Sequence, residues 1–533
     1  MTTDQVSEYI IQDYEFSVKG KTKDFALRSV VVPAGGDPVF LTEQAMMDAL
    51  LDKKQLLLNK RIFTDVEVAY SLDSYSKGKA YYVAKFTVED AATFLIIPYP
   101  KFDNDTVGLR LGVKMYDKNL FGSFSDLYIS GTVSQGNGGL TGWDKRQDAV
   151  ELKISSLPIG KSFLGFSFNY FRENGSPDPG DFDFSLDWDD VKIFGANLNI
   201  SPWGYFAPSS DFSTWNPEEA GIQWTLGPFR QNESLFSLTN KIRYYEGLTR
   251  LYTYTYLEQL DLTFFGHPLN FRLFMESEAV TDSDTFDYMN VGASLGTGFS
   301  LPFGLSWSTS VAPTLHYSPM ENPVPYSYLF TNSVSKSNIN WHGNFRKGAS
   351  FSLTYLADLY PQDEYWATKT SWSVESTVKW FPFVTSWFNP SIQVTGFIAD
   401  PKGKDLYEEE TIADSLRGYL TSTIEDLGLE GLREYGAIIN MNLTTTFIDF
   451  GFAKSYASPF VDIGIFPNPE NLEKPIILST AGLDGWAIVN KFPSYPIRGS
   501  LGFNLSSVRK AIDNEIKFTE IEFELFIGMG MFF

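Results

Sequence analysis

The sequence predicts a mainly β chain: a small α+β domain followed by a transmembrane antiparallel β-barrel. Three observations predict it. After Asp90 the chain runs in segments of about ten residues, apolar at every second position and separated by Gly, Asn, Asp and Pro. Aromatic residues reach 16%, with 46 Phe, 28 Tyr and 12 Trp, as interfacial girdles require. The formal charge is −23, and no apolar run approaches the ~18 residues of a membrane-spanning helix.

Residues 1–90 differ from the rest. A strand is expected over Tyr9–Val18 and a short helix near Asp24–Val31. One amphipathic helix runs from about Thr42 to Asn59, opening on the capping-type sequence LTEQ and carrying Ala45, Met46, Ala49, Leu50, Leu57 and Leu58. Strands Thr64–Leu72 and Lys79–Val88 follow, joined by the polar turn Asp73–Gly78. The order β-α-α-β-β describes one sheet with helices on a face.

Residues 91–533 carry the alternating segments, among them Thr106–Tyr116, Ser123–Ser134, Lys161–Phe171, Asn290–Ser300 and Phe351–Leu359. In the last strand Ile521, Phe523, Leu525, Ile527, Met529, Met531 and Phe533 share one face. Glu520, Glu522, Glu524, Phe526, Gly528, Gly530 and Phe532 share the other. An uncharged face beside a glutamate-bearing face fits lipid outside and water inside. A propeller would show a repeat of about 40–50 residues, and none is found. Counting segments gives about 20 strands, some of which, within Ser185–Tyr245, read as hairpins in extracellular loops.

Several functions are excluded or disfavoured. The charge opposes nucleic-acid binding, and the absence of Cys removes disulfides, thiolate metal sites and cysteine nucleophiles. The start MTTDQVSEYI lacks a signal peptide's basic and apolar regions, so export implies a processed chain. His267, His316 and His342 are scattered, and no HExxH or GxSxG occurs. No enzyme activity, cofactor or metal is expected. The acidic stretch Asp178–Asp190 lacks an EF-hand's central glycine and terminal glutamate and reads as a solvated extracellular loop, as do Glu408, Glu409 and Glu410. SQGNGGLTG (Ser134–Gly142) is rich in glycine, but no helix follows to hold a phosphate.

The expected first barrel strand, TFLIIPYPKF (Thr93–Phe102), contains Pro98 and Pro100. Residues i and i+2 aim their amides at the same neighbour, so two donors are missing on one side. Facing the last strand, they would leave a closing seam with few hydrogen bonds, weakened from the other side by Gly528 and Gly530. Such a seam could open to accept a client strand. The competing reading makes the prolines a linker and starts the barrel at Thr106.

The chain resembles the BamA/TamA superfamily of outer-membrane assembly and translocation proteins. Residues 9–90 resemble a single POTRA domain. GDPVF (Gly36–Phe40) precedes the long helix, and RIFTDVEV (Arg61–Val68) resembles the family's entry into the second strand, with Arg61 where glycine is usual. YDKNLFGSF (Tyr116–Phe124) resembles the turn after the second barrel strand. SLRGY (Ser415–Tyr419) resembles the Arg-Gly-aromatic tip of a loop folded into the lumen, here about 400–434, with five strands remaining. PFVDIG (Pro459–Gly464) resembles the strand whose aspartate meets that arginine.

The resemblance implies that Arg417 pairs with Asp462 and that Gly418 and Tyr419 pack against the wall. A second carboxylate of some relatives is replaced near Thr444, and Phe533 stands for the terminal assembly signal. It implies 16 strands, the bacterial outer membrane, and an N-terminal domain in the periplasm. The implied function is an insertase assembling β-barrel clients through the first–last seam. The alternatives are a two-partner polypeptide secretion pore and, behind it, a passive diffusion channel. Implied partners are unfolded outer-membrane or secreted polypeptides, the bilayer and accessory periplasmic proteins.

Overall fold

The computed structural model describes residues 6–33, 36–103, 108–135, 146–173, 180–193, 195–209, 214–231, 234–246, 248–264, 266–280, 286–318, 326–361, 370–399, 412, 415–429, 435–468 and 474–529. Strand β1 (Glu8–Lys19) leads into helices α1 (Asp24–Val31) and α2 (Glu43–Asn59), then β2 (Phe63–Ser76) and β3 (Lys79–Asp90). The sheet order is β1-β3-β2. β1 lies parallel to β3, and β2 antiparallel to it. The parallel pair needs a crossover, which the two helices supply.

Helix α2 starts where Thr42 accepts a bond from the Ala45 amide at 3.1 Å, the oxygen cap expected of its sequence. Met46, Leu50, Lys53 and Leu57 recur every three or four residues and are buried. Met46, Leu50 and Leu57 pack with Leu27, Val31, Val66, Phe86 and Val88 into one core. Lys53 is the polar member of that face. Its ammonium meets Asp37 at 3.0 Å and donates to the Val31 carbonyl, while Asp37 accepts from the Tyr14 hydroxyl at 2.5 Å. Burial, and then the bond to Asp37, push the Tyr14 phenol well above its ordinary range, so it remains a donor. Lys53→Ala removes the cation and leaves the Asp37 carboxylate buried beside Tyr14. A loss of about 3 kcal/mol is expected, read as faster tryptic cleavage within residues 1–90 of the membrane-inserted chain.

The rest forms a closed antiparallel barrel of 22 strands. This corrects the 16 strands that the resemblance implies, and the residue count of about 20 came nearer. The segments between Ser185 and Tyr245, read as loop hairpins, are wall strands: Asp181–Ile193, Ala196–Pro208, Trp215–Gln231 and Ser234–Tyr245. Their alternation is interrupted by register shifts at Trp188/Val191 and Leu226/Phe229, which swap the inward and outward phase within one strand. The acidic run is likewise a strand from Asp181 onward and not a solvated loop. Among the described residues no group of acidic or histidine side chains is placed to hold a metal.

Outward positions carry exposed apolar side chains, including Leu273, Leu295, Leu443, Leu483, Ile497 and Ile527. No helix among the described residues is long and apolar enough to cross a membrane. An apolar belt around a closed barrel is a lipid-facing surface by its chemistry.

The N-terminal domain rests on the end of the barrel where the chain enters it. Lys21 pairs with Asp117 at 2.7 Å, and Lys23 donates to the Gly122 carbonyl at 2.8 Å. Across the opening, Gln55 reaches the Trp341 carbonyl at 3.0 Å and Asn59 reaches Asn340 at 2.9 Å.

Candidate functional site

Two features identified in the sequence meet in the wall: the Arg-Gly-Tyr motif and the closing seam. The motif stands inside the lumen against the last five strands, Tyr435–Asp449, Ala453–Phe466, Ile476–Val489, Ile497–Asn504 and Phe523–Met529. Residues 400–411, 413–414 and 430–434 of its loop, with Glu408, Glu409 and Glu410, lie outside the described residues.

Arg417 is 1% exposed. Its Nε and Nη2 donate to the two oxygens of Asp462 at 2.9 and 2.7 Å, the bidentate geometry that suits a guanidinium. Its Nη1 donates to Asp484 at 2.6 Å, and Nη2 also to Asn442 at 3.0 Å. The cation lies 3.6 Å from the centroid of the Phe460 ring. Asp484 is shared with Arg498 at 3.0 Å. Two cations thus meet two carboxylates, a balance that offsets the cost of taking each charge out of water. Arg417 thus has a second carboxylate partner, Asp484, one strand beyond Asp462. The expected vacancy near Thr444 is only a hydroxyl pair, Thr444 with Ser458 at 3.0 Å.

Gly418 has φ +112, and an added Cβ would stand 2.8 Å from the Phe503 nitrogen. Opposite it, a Cβ on Gly502 would stand 2.6 Å from the Arg417 carbonyl oxygen. Loop and wall meet backbone to backbone, which glycine on each side permits. Two of the loop's amides are satisfied by the last strand and the residue before it: Gly418 donates to Glu524 at 2.8 Å and Leu420 to Glu522 at 3.0 Å. Two of the inward glutamates thus serve as acceptors for the loop. Tyr419 is buried with Ile412, Leu416, Ile424, Leu429 and Phe466 in a local core.

At the seam, the first strand is split into β4 (Phe94–Pro98) and β5 (Lys101–Asp103), both paired with β6 (Gly108–Leu120). Between them, Tyr99 donates its amide to Gly112 of β6 at 2.8 Å. Successive residues alternate in amide direction, so Pro98 and Pro100 present their nitrogens, without hydrogens, on the side away from β6. Continuing the closing register sets Pro100 opposite Met529, while the position opposite Pro98 lies outside the described residues. Among the described residues the closure consists of two registered pairs, Phe526 with Asp103 and Ile527 with Phe102. The Phe523–Met529 strand makes seven with its other neighbour. The wall therefore begins before Thr106, with the prolines in it. Gly528 sits opposite Arg498, whereas Gly530 and Phe533 lie outside the described residues.

Phe526 spans this closure in a way the sequence did not signal. Lys101 of β5 lies 5.4 Å from its ring centroid and Arg498 lies 5.1 Å from it. A continuous path therefore runs from Arg417 through Asp484, Arg498 and Phe526 to Lys101, from the loop to the first strand. Asp484 and Glu522 were readable in principle. Each keeps the inward phase of its strand, as Asp462 does, and only a lumen partner explains a carboxylate there.

No family model matches the sequence, and no curated protein matches it. Among solved structures the chain is similar to BamA from Haemophilus ducreyi lacking POTRA domains 1–3, at 12% identity and TM-score 0.32, over 98% of this chain and 85% of that one. CdiB from Acinetobacter baumannii matches at 10% identity and TM-score 0.35, over 98% and 74%. The FrpB iron transporter from Neisseria meningitidis, F5-1 variant in apoprotein form, matches at 9% identity and TM-score 0.48, over 88% and 87%.

Proposed function

We propose that the chain is a bacterial outer-membrane insertase whose barrel opens between its first and last strands to template client β-strands. The N-terminal β-α-α-β-β unit would be a periplasmic POTRA domain that receives unfolded polypeptide. The observation that carries this reading is the seam: two registered pairs among the described residues, and two prolines whose nitrogens, without hydrogens, point away from β6. A backbone group left unpaired in lipid costs several kcal/mol. An incoming strand lowers that cost by pairing with the free edge of the last strand, the logic of β-augmentation. The Arg417 network supports the same reading, since it holds the last five strands as a stiff wall beside a weak closure. No nucleotide or metal is required, because client folding supplies the free energy.

The chain's lack of cysteine makes the test clean. Phe102 and Ile527 are registered partners across the closure, and such neighbours lie within the span of a disulfide. Phe102→Cys with Ile527→Cys, reconstituted in liposomes, should accelerate insertion of an unfolded barrel client when reduced. A loss of at least about tenfold is expected on oxidation, a change of ~1.4 kcal/mol or more in the barrier. Absence of acceleration in both states, with ion conductance intact, would instead favour a polypeptide secretion pore or a diffusion channel.

A further inference from the structure

At the junction of the N-terminal domain and the barrel, Lys60 and Arg61 come from the end of α2, Lys118 from β6, and Arg346 from the strand Phe345–Leu359. All four line one cavity of about 370 Å³, together with Trp341 and Ser494. Among the described residues no carboxylate lines it. In a chain of net charge −23, four cations converging on one cavity is a local inversion of sign.

Arg61 holds the decisive position. It adopts φ +56, a conformation that favours glycine, and so projects its side chain from the domain into the barrel mouth. Its Nε donates to the Pro493 carbonyl at 2.8 Å and its Nη2 to Asn344 at 3.0 Å. Its Nη1 is buried and has no hydrogen-bond partner. The guanidinium stacks 3.9 Å from the Trp341 ring centroid, and that of Arg346 shares the same indole at 4.7 Å. Burial, and then the neighbouring Arg346 charge, lower the Arg61 guanidinium to about 10; it stays charged at neutral pH. A buried donor without an acceptor, beside a like charge, is a costly arrangement unless a ligand completes it. Asp126 is the carboxylate whose field reaches Lys60 and Lys118, but it is not in the cavity lining.

We propose that this junction is a binding site for a phosphate group, free or carried by a phospholipid headgroup. Two guanidiniums and two ammoniums exceed what a single carboxylate would neutralise and suit a multiply charged oxyanion with several acceptor oxygens. Arg61 would supply its unused Nη1, and Lys60 and Lys118 their ammoniums, which now lie over the Phe124 and Tyr495 rings. Ser494, whose hydroxyl now donates to the Arg61 carbonyl at 2.6 Å, stands at the rim. Because the cations come from both the domain and the wall, the bound anion would fasten one to the other. The inference rests on the junction alone and is independent of how the seam behaves.

The test titrates inorganic phosphate into the purified chain in zwitterionic detergent, followed by calorimetry and tryptophan fluorescence. A second arm compares thermal unfolding in phosphatidylcholine nanodiscs with and without phosphatidic acid, whose phosphomonoester can carry two charges. Arg61→Gly removes the guanidinium while relaxing the positive φ, and Lys118→Gln removes a wall cation that makes no ion pair to the domain. Saturable phosphate binding, weakened at least about tenfold by Arg61→Gly and about threefold by Lys118→Gln, would establish the site for the free ion. Stabilisation by phosphatidic acid alone, lost in both variants, would establish it for a headgroup. Absence of saturable binding in both arms, or binding that neither substitution weakens, would overturn the proposal.

Discussion

Arg417→Ala is expected to destabilise the barrel by about 3–5 kcal/mol, the range for breaking a buried ion pair from one side. The substitution leaves Asp462 and Asp484 facing a cavity with Arg498 as the remaining cation of the network, and Asn442 loses its donor. Unfolding in urea and the temperature of the heat-dependent shift in gel mobility should both fall. Arg417→Lys keeps the charge but cannot form the fork to Asp462, so it should recover only part of the loss. Asp462→Asn and Asp484→Asn, combined with Arg417→Ala in double-mutant cycles, should show strong non-additivity, because all three groups belong to one network. Additive effects would mean that the arginine is not held by these carboxylates. With the guanidinium gone, the Ser415–Leu429 segment should become accessible to protease from the lumen, and conductance should rise.

Gly418→Ala is expected to release the loop without touching a charge. The residue needs φ +112 and has the Phe503 backbone nitrogen 2.8 Å from where a Cβ would be. Neither wall nor loop can yield there, since each is fixed by its own hydrogen bonds. Backbone strain of this kind costs about 1–3 kcal/mol before the clash is counted. Gly502→Ala approaches the same contact from the wall, 2.6 Å from the Arg417 carbonyl oxygen, and should reproduce the phenotype. Raised lumen conductance in both variants, with the barrel itself still assembled, is the expected reading. Unchanged conductance in both would show that the loop does not depend on this approach.

What was readable in the sequence depended on how local its signal is. Helix α2 announces itself by Thr42 and by apolar spacing, both properties of a short window. The direction of the Pro98 and Pro100 nitrogens follows from strand geometry alone, whatever the neighbour. Arg417 and Asp462 stand in short motifs. Asp484 does not, because its role arises from register: Thr480 lies opposite Asp462, and Asp484 keeps the same inward phase farther along that strand. Strand number is a global property. It was misjudged because bulges near Trp188 and Phe229 shift the alternation that marks a strand. The junction cations were invisible for a similar reason, since the Lys60–Arg61 pair, Lys118 and Arg346 are far apart in sequence and meet only through docking.

The attachment of the loop also dictates an order of assembly. Arg417 reaches partners 25 to 67 positions away, and the Gly418–Glu524 contact spans 106. The closing contact joins residues about four hundred positions apart, where the entropy of bringing chain ends together is greatest. The C-terminal wall, with the loop already seated on it, can form as a nucleus while the remaining strands are still being added. Closure then comes last, across a ladder of two registered pairs among the described residues. Such a protein would pass through an open, nearly complete cylinder on its way to the native state, and that intermediate has the same free edges that the working protein would offer a client.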